Sequence, residues 1–164
     1  MKVLGLHVAA ERGGPMHDAR RVEVLAGSGV VGDRYFGTRH RHVSVQSRDE
    51  LDAAAAELGA PVPSGRTRRT VTLDHGTVPT TPGTRLRLGG VELEVVRRAA
   101  PCRVMETAVG PGARRALHDR GGAVCRVLSS GTIAVGDASA VVDAAVAAPP
   151  SADRGLRRGA APDQ

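Results

Sequence analysis

The segment Thr84–Val95, TRLRLGGVELEV, carries its own pairing scheme. A two-residue turn at Gly89-Gly90 sets Leu88 opposite Val91, Arg87 opposite Glu92, Leu86 opposite Leu93 and Arg85 opposite Glu94. One face of the ribbon is then aliphatic and the other carries two opposed charge pairs, so the register of this hairpin is written into the sequence. Working outward, the same alternation recurs in short pieces. Val22 and Val24 alternate with Arg21 and Glu23, and HVSVQS (His42–Ser47) alternates again, as half-buried strands do. Val3–Val8 and RRTVTLDH (Arg68–His75) are further strand candidates, and Ala123–Ala144 supplies the last strands, broken at Gly131 and Gly136. Helices are few. Ser47 and Glu50 form a capping box ahead of RDELDAAAAEL, which stops at Gly59, and GARRALHDRG (Gly112–Gly121) is a short second helix. Many short strands with glycine turns and one or two helices predict a mainly β, α+β fold built on a barrel or a strongly curved sheet.

The chain of 164 residues fits one domain, expected over residues 1–146, and can bury roughly two-thirds of its unfolded-chain surface. Its core must come from Val, Leu and Ala, because Tyr35 and Phe36 are the only aromatics. From Ala147 the sequence AAPPSADRGLRRGAAPDQ has no apolar periodicity and reads as a disordered tail over 147–164. The net charge of +6 is carried almost wholly by arginine, since Lys2 is the only lysine. Such a surface attracts anions, and guanidinium grips phosphate through two donors. Nucleic acid is not the expected partner: the aromatics that stack single strands are missing, and no helix-turn-helix or zinc-finger spacing is present. No apolar run approaches a membrane span, and MKVLGLHVAAERGG lacks the features of a signal peptide. With two cysteines and no export signal, the expected location is cytoplasmic with reduced thiols.

The cysteines differ in setting. Cys125, in GGAVCRVLSS, reads as a small hydrophobe in a strand. Cys102 follows Pro101 directly, with Arg97, Arg98 and Arg103 close in sequence. Proline fixes the backbone before the sulfur, and cations beside a cysteine favour its ionised, nucleophilic form. His40 and His42 would share a face of a strand, but no further Cys or His completes a zinc set at recognised spacing.

The order GVVGDRY, RRTVTLDHG, PGTRLRLGGVELEV, PCRVME and RGGAVCRVLSSGTIAVGD resembles the MOSC domain, named for the C-terminal part of molybdenum-cofactor sulfurases. The resemblance spans about Arg20 to Val142 and implies a β-barrel-like fold with a few helices. It implies a molybdenum cofactor (molybdopterin) as ligand, with Cys102 as catalytic residue and metal ligand or as a persulfide carrier. A soft thiolate suits either role. Arg68, Arg69 and Thr70 fall where relatives bind the pterin, with Arg69 clasping its phosphate; many relatives carry Asn where Thr70 stands here. On that reading, Arg69→Ala lowers cofactor occupancy and leaves the apo protein's stability nearly unchanged. Asp33 and Arg34 match the family's early Gly-Asp step, with Asp33 anchoring loops near the site, and Pro101 holds Cys102 in place. Arg120 is a weaker ligand candidate. The implied activities are reduction of N-hydroxylated compounds, with electrons from a separate redox protein, or sulfur carriage from a sulfur donor. Pyridoxal phosphate, which the larger sulfurases hold in another domain, is not expected to bind this chain. The contrasting expectation is a non-catalytic module that uses the barrel's basic surface for an anionic ligand.

Overall fold

The computed structural model describes residues 1–142. The expected tail and the end of the 1–146 domain lie outside the described residues. The hairpin forms as read: β7 (Arg85–Leu88) and β8 (Val91–Arg98) pair antiparallel with all four expected partners in register. Leu86, Leu88, Val91 and Leu93 are fully buried. Of the two charge pairs, Arg87 and Glu92 meet at 3.0 Å. Glu94 instead takes the guanidinium of Arg126 at 2.7 Å, from the strand on its other side.

That strand is β9 (Ala123–Val127), which continues the sheet to β5 (Val43–Ser47). β5 lies parallel to β6 (Val71–Leu73), joined through the helix α1 (Arg48–Leu58), as a parallel pair requires a crossover. β6 pairs with β1 (Val3–Val8), and β1 with the short β2 (His17–Ala19). On the far side, β7 pairs with β11 (Ser139–Val142), completing eight strands. The sheet curls until the start of β1 meets the turn that leads into β11. Val3 N–H donates to Asp137 O, Gly136 N–H to Val3 O, and Ser139 N–H to Met1 O. This closure satisfies backbone groups that an open edge would leave unpaired. A second sheet, β3 (Arg21–Leu25) between β4 (Gly29–Val30) and β10 (Gly131–Ala134), lays Val22, Val24, Val30 and Ile133 into the same core.

The structure departs from the alternation expected of HVSVQS. All five residues of β5 are buried, on both faces. The polar ones are accommodated by partners: Ser44 with Thr70, and Gln46 with Thr67 and Thr72. His40 and His42 are not on a strand; they precede β5. The helix α1 is capped as expected, with Ser47 Oγ accepting from Glu50 N–H and Gly59 at φ 70. Two further helices, α2 (Arg103–Val109) and α3 (Ala113–Ala116), pack on α1 through a separate cluster of Leu51, Ala54, Met105, Ala116 and Leu117. Of these, α2 was not expected from the sequence. It places Cys102 at its N-cap, which makes no side-chain capping bond.

Candidate functional site

Cys102 stands exposed at one end of the barrel, and its position is fixed from below. The chain just before it, Ala99–Ala100, is tied down twice. Ala99 N–H donates to Gly122 O at 2.9 Å. The buried Arg69 donates from Nε to Gly121 O at 2.9 Å and from Nη2 to Ala99 O at 3.0 Å and Ala100 O at 3.2 Å. Gly121 and Gly122 permit this approach: a Cβ would fall 2.3 Å from Ala99 O at the first and 1.9 Å from Val45 O at the second. Only a hydrogen at each position lets the three backbone segments meet.

This geometry corrects the expectation that Arg69→Ala leaves the apo protein's stability nearly unchanged. Arg69 is 2% exposed; its Nη2 binds the backbone that leads into Cys102, and its Nε binds the Gly121 carbonyl beside that segment. Its first role is a strut under the thiol, so its removal must disturb the apo protein. Thr70 also turns inward: its hydroxyl and backbone N–H are engaged with Ser44. Arg120 is spent on Glu57 and Ala116 O. Asp33 accepts from Ala9 N–H, Tyr35 N–H and the guanidinium of Arg34, tying its own loop to the end of β1. Arg34 in turn donates to Arg68 O at 3.1 Å, linking that loop to the segment before β6.

Tyr35, Arg12 and Arg41, not singled out from the sequence, join Arg34 and Arg68, which were. Tyr35 lies beneath three guanidiniums, with Arg41, Arg34 and Arg12 at 4.1, 4.7 and 5.7 Å from its ring centroid. These are cation–π distances. Arg68 is the one non-glycine residue with positive φ among the described residues, at 61°. An arginine held in this left-handed conformation stores strain of the kind that marks functional loops. Its Nη1 donates to Gly14 O, while its Nη2 is buried without a partner, as is Nε of Arg41. Two buried guanidinium donors are therefore without a partner.

The charges agree. Arg69 is pushed down to about 10, first by burial and then by Arg41 and Arg97, and is partly rescued by Cys102. Arg41 is lowered by burial and by Arg97 and Arg34; Arg68 by burial and by Arg34. In each case a charge on Cys102 acts in the opposite, stabilising direction. Mutually repelling guanidiniums held around a thiol form a basin suited to a polyanion. Of the other arginines near Cys102 in sequence, Arg98 pairs with Asp119. Beside Pro101 opens a cavity of about 390 Å³ lined also by Ala100, Arg114, Arg115 and His118.

The histidine and the second cysteine are structural. His42 Nδ1 accepts from Val127 N–H, and its Nε2 donates to Thr38 O, so both nitrogens are used. Cys125 is buried in β9, and burial pushes its thiol up to about 12.

The MOSC domain profile matches residues 32–139. The chain belongs to the MOSC domain family. No curated protein matches it in sequence. Among solved structures, the MOSC chain is similar to the YuaD protein from Bacillus subtilis, with a TM-score of 0.73 at 20% identity over 84% of this chain and 93% of that one. It is also similar to YiiM from Geobacillus stearothermophilus, TM-score 0.66 at 15% identity over 90% and 77% of the two chains. YiiM from Escherichia coli gives 0.62 at 16% over 87% and 70%. At these identities the likeness establishes the fold, which is the curled, mainly β fold of the MOSC domain. No helix among the described residues is long and apolar enough to cross a membrane.

Proposed function

We propose that this MOSC protein binds the phosphate-bearing pterin of a molybdenum cofactor in the arginine basin, with Cys102 as the sulfur ligand to the metal. The observation that carries the reading is the pair of buried, unpartnered guanidinium nitrogens, Arg41 Nε and Arg68 Nη2, beside an exposed thiol. The residues present fit such a group. Arg41 and Arg68 would grip the phosphate through charge-assisted bonds. Cys102 offers a single soft donor, which suits a metal that arrives with ligands of its own. No cluster of three or more His, Cys, Asp or Glu stands ready to hold a bare metal ion among the described residues.

When bound, that cofactor supplies two-electron redox chemistry at its metal, with electrons from a separate redox protein and N-hydroxylated compounds as the substrate class. The chain's own contribution is positioning. Arg69 and the double glycine hold the Cys102 backbone rigid, Asp33 fixes the loop that presents Arg34 and Tyr35, and the guanidiniums hold the anion. Thr70 takes no part in ligand contact on this reading, since Ser44 occupies it, so the Asn of relatives is not replaced in function there.

A second use of the same thiol, sulfur carriage, is favoured by its exposure at the surface, where a donor protein can reach it. Elemental and mass analysis of protein purified from a molybdenum-replete host separates these readings. Stoichiometric molybdenum and pterin, lost in Cys102→Ser, is the expected result. Metal-free protein carrying one extra sulfur on Cys102 selects the carrier. Protein that binds phosphate but neither molybdenum nor sulfur leaves an anion-binding module and overturns the proposal.

A further inference from the structure

A second group of chemistry-bearing residues lies away from Cys102. His7 on β1 and Asp18 on β2 are direct cross-strand partners, and His7 Nδ1 is 2.8 Å from Asp18 Oδ1. The other ring nitrogen, Nε2, is 3.3 Å from Ser64 Oγ. A carboxylate only accepts, so Nδ1 carries the proton toward Asp18, and in the neutral ring Nε2 is the bare acceptor facing the serine hydroxyl. Nucleophile, base and orienting acid thus stand in hydrogen-bonded sequence, the arrangement by which catalytic triads are recognised irrespective of fold or chain order.

The setting adds to the geometry. All three residues line one cavity of about 400 Å³, whose other walls are Leu4, Leu6, Val135 and the guanidinium-bearing Arg20 and Arg48. Ser64 is held rigidly, its carbonyl accepting from Thr67 Oγ1 at 2.7 Å and from Gln46 Nε2 at 3.2 Å. Both donors are themselves buried, and Thr67 Oγ1 lies equally close, at 2.7 Å, to Gln46 Oε1, so its one proton is shared between the two carbonyl oxygens. The His7 ring is buried and closely flanked by two glycines: a Cβ at Gly5 or Gly65 would touch ring atoms at 3.5 Å. Asp18 stands on the rim, open to solvent, where it orients the ring without being desolvated.

We propose that Ser64, His7 and Asp18 form a hydrolytic site for small carboxylic esters that carry an anionic group. Ser64 Oγ attacks the acyl carbon while its proton passes to His7 Nε2. The bond to the leaving alcohol breaks as His7 returns that proton to the departing oxygen. Water, activated by the same ring, then cleaves the acyl-serine to release the acid and restore the hydroxyl. No oxidant, reductant or metal enters. Arg20 and Arg48 bind the anionic group, and the leucines and valine enclose the acyl chain. The site is independent of Cys102 and of the cofactor reading.

The test begins with the unaltered chain. A fluorophosphonate probe should label Ser64, as read by peptide mass spectrometry, and mono-p-nitrophenyl succinate should be hydrolysed in preference to p-nitrophenyl acetate. Ser64→Ala and His7→Asn should each lower hydrolysis by about 10²-fold or more. Arg20→Ala and Arg48→Ala should raise KM for the anionic ester alone. Absence of label on Ser64 in the parent chain overturns the proposal without recourse to any variant. So does hydrolysis that persists in a folded Ser64→Ala protein, or acylation that maps to Cys102. The three residues are then a cross-strand tie and nothing more.

Discussion

Replacing Arg69 by alanine separates a structural strut from a simple phosphate clamp. The side chain makes three hydrogen bonds to backbone carbonyls, at 2.9, 3.0 and 3.2 Å. Bonds from a charged donor contribute about 1.5–3 kcal/mol each, and a carbonyl left unpaired in the interior costs about 1–3 kcal/mol. Against this stands the burial of the charge. A guanidinium lowered from 12.5 to about 10 has lost roughly 3 kcal/mol of preference for its charged form, a cost the native state already bears. Taking the lower end for each bond, about 4–5 kcal/mol in all, adding about 1–3 kcal/mol for carbonyls left unpaired and subtracting the roughly 3 kcal/mol of burial cost that removal relieves, the expected destabilisation is about 2–5 kcal/mol. Urea unfolding of the apo protein should therefore show a much lower midpoint with an unchanged slope. Arg69→Lys should recover only part of the loss, because one ammonium cannot reach three carbonyls in the plane of a guanidinium fork. An Arg69→Ala protein within about 0.5 kcal/mol of the parent would refute the strut and return Arg69 to the ligand alone.

Other expectations follow from the same frame. In native protein, iodoacetamide should modify exposed Cys102 within minutes and leave Cys125 untouched until unfolding, as mapped by mass spectrometry; early modification of Cys125 would contradict its burial. The Cys125 thiol is raised from 9.0 to about 12 in the folded state, so the unfolded chain releases its proton first as pH rises. Its contribution is intact below pH 9 and is lost as pH approaches about 12, by up to about 4 kcal/mol, so the stability gap between parent and Cys125→Ala should narrow across that window in denaturant titrations. Gly122→Ala drives a methyl group into the Val45 carbonyl and should cost about 3 kcal/mol or more, whereas Gly27→Ala, with a similar φ of 72 but open space around it, should cost only about 1–2 kcal/mol. Equal melting temperatures for these two variants would dispose of the close-approach argument.

The parts of the fold legible in the sequence are those governed by near neighbours. The hairpin register follows from a two-residue turn and facing side chains, and α1 follows from Ser47, Glu50 and Gly59, all within one short window. β5 was legible as a strand but not as a fully buried one, because its outer face is covered by the distant segment Ser64–Thr72. α2 escaped because Cys102 makes no capping bond and the helix is short, with β-branched Val104, Thr107 and Val109; tertiary packing of Met105 holds what local propensity does not. At the candidate site, Cys102 could be singled out by its proline and its thiol. Of the basin around it, Arg97 is close in sequence and Arg34 and Arg68 are reached through the family resemblance. Arg12 and Arg41 come from separate segments of an arginine-rich chain, and nothing in their spacing distinguishes them from arginines spent on the surface. The one local hint was Tyr35, the only tyrosine, set directly beside Arg34. His7, Asp18 and Ser64 are likewise joined only by the pairing of β1 with β2 and by the folding of the crossover.

That lone tyrosine has a practical consequence. The chain has no tryptophan and a single tyrosine, so ultraviolet emission excited where phenylalanine does not absorb arises from one ring, located under the guanidiniums of the basin. Any anion that draws Arg41 or Arg34 away from the ring alters the electric field on that fluorophore and its access to quenchers. The protein thus carries a built-in optical gauge beside Arg34 and Arg41, read without labels or added chromophores. Occupancy, competition between ligands and the speed of loading can all be followed as changes in the brightness of one residue.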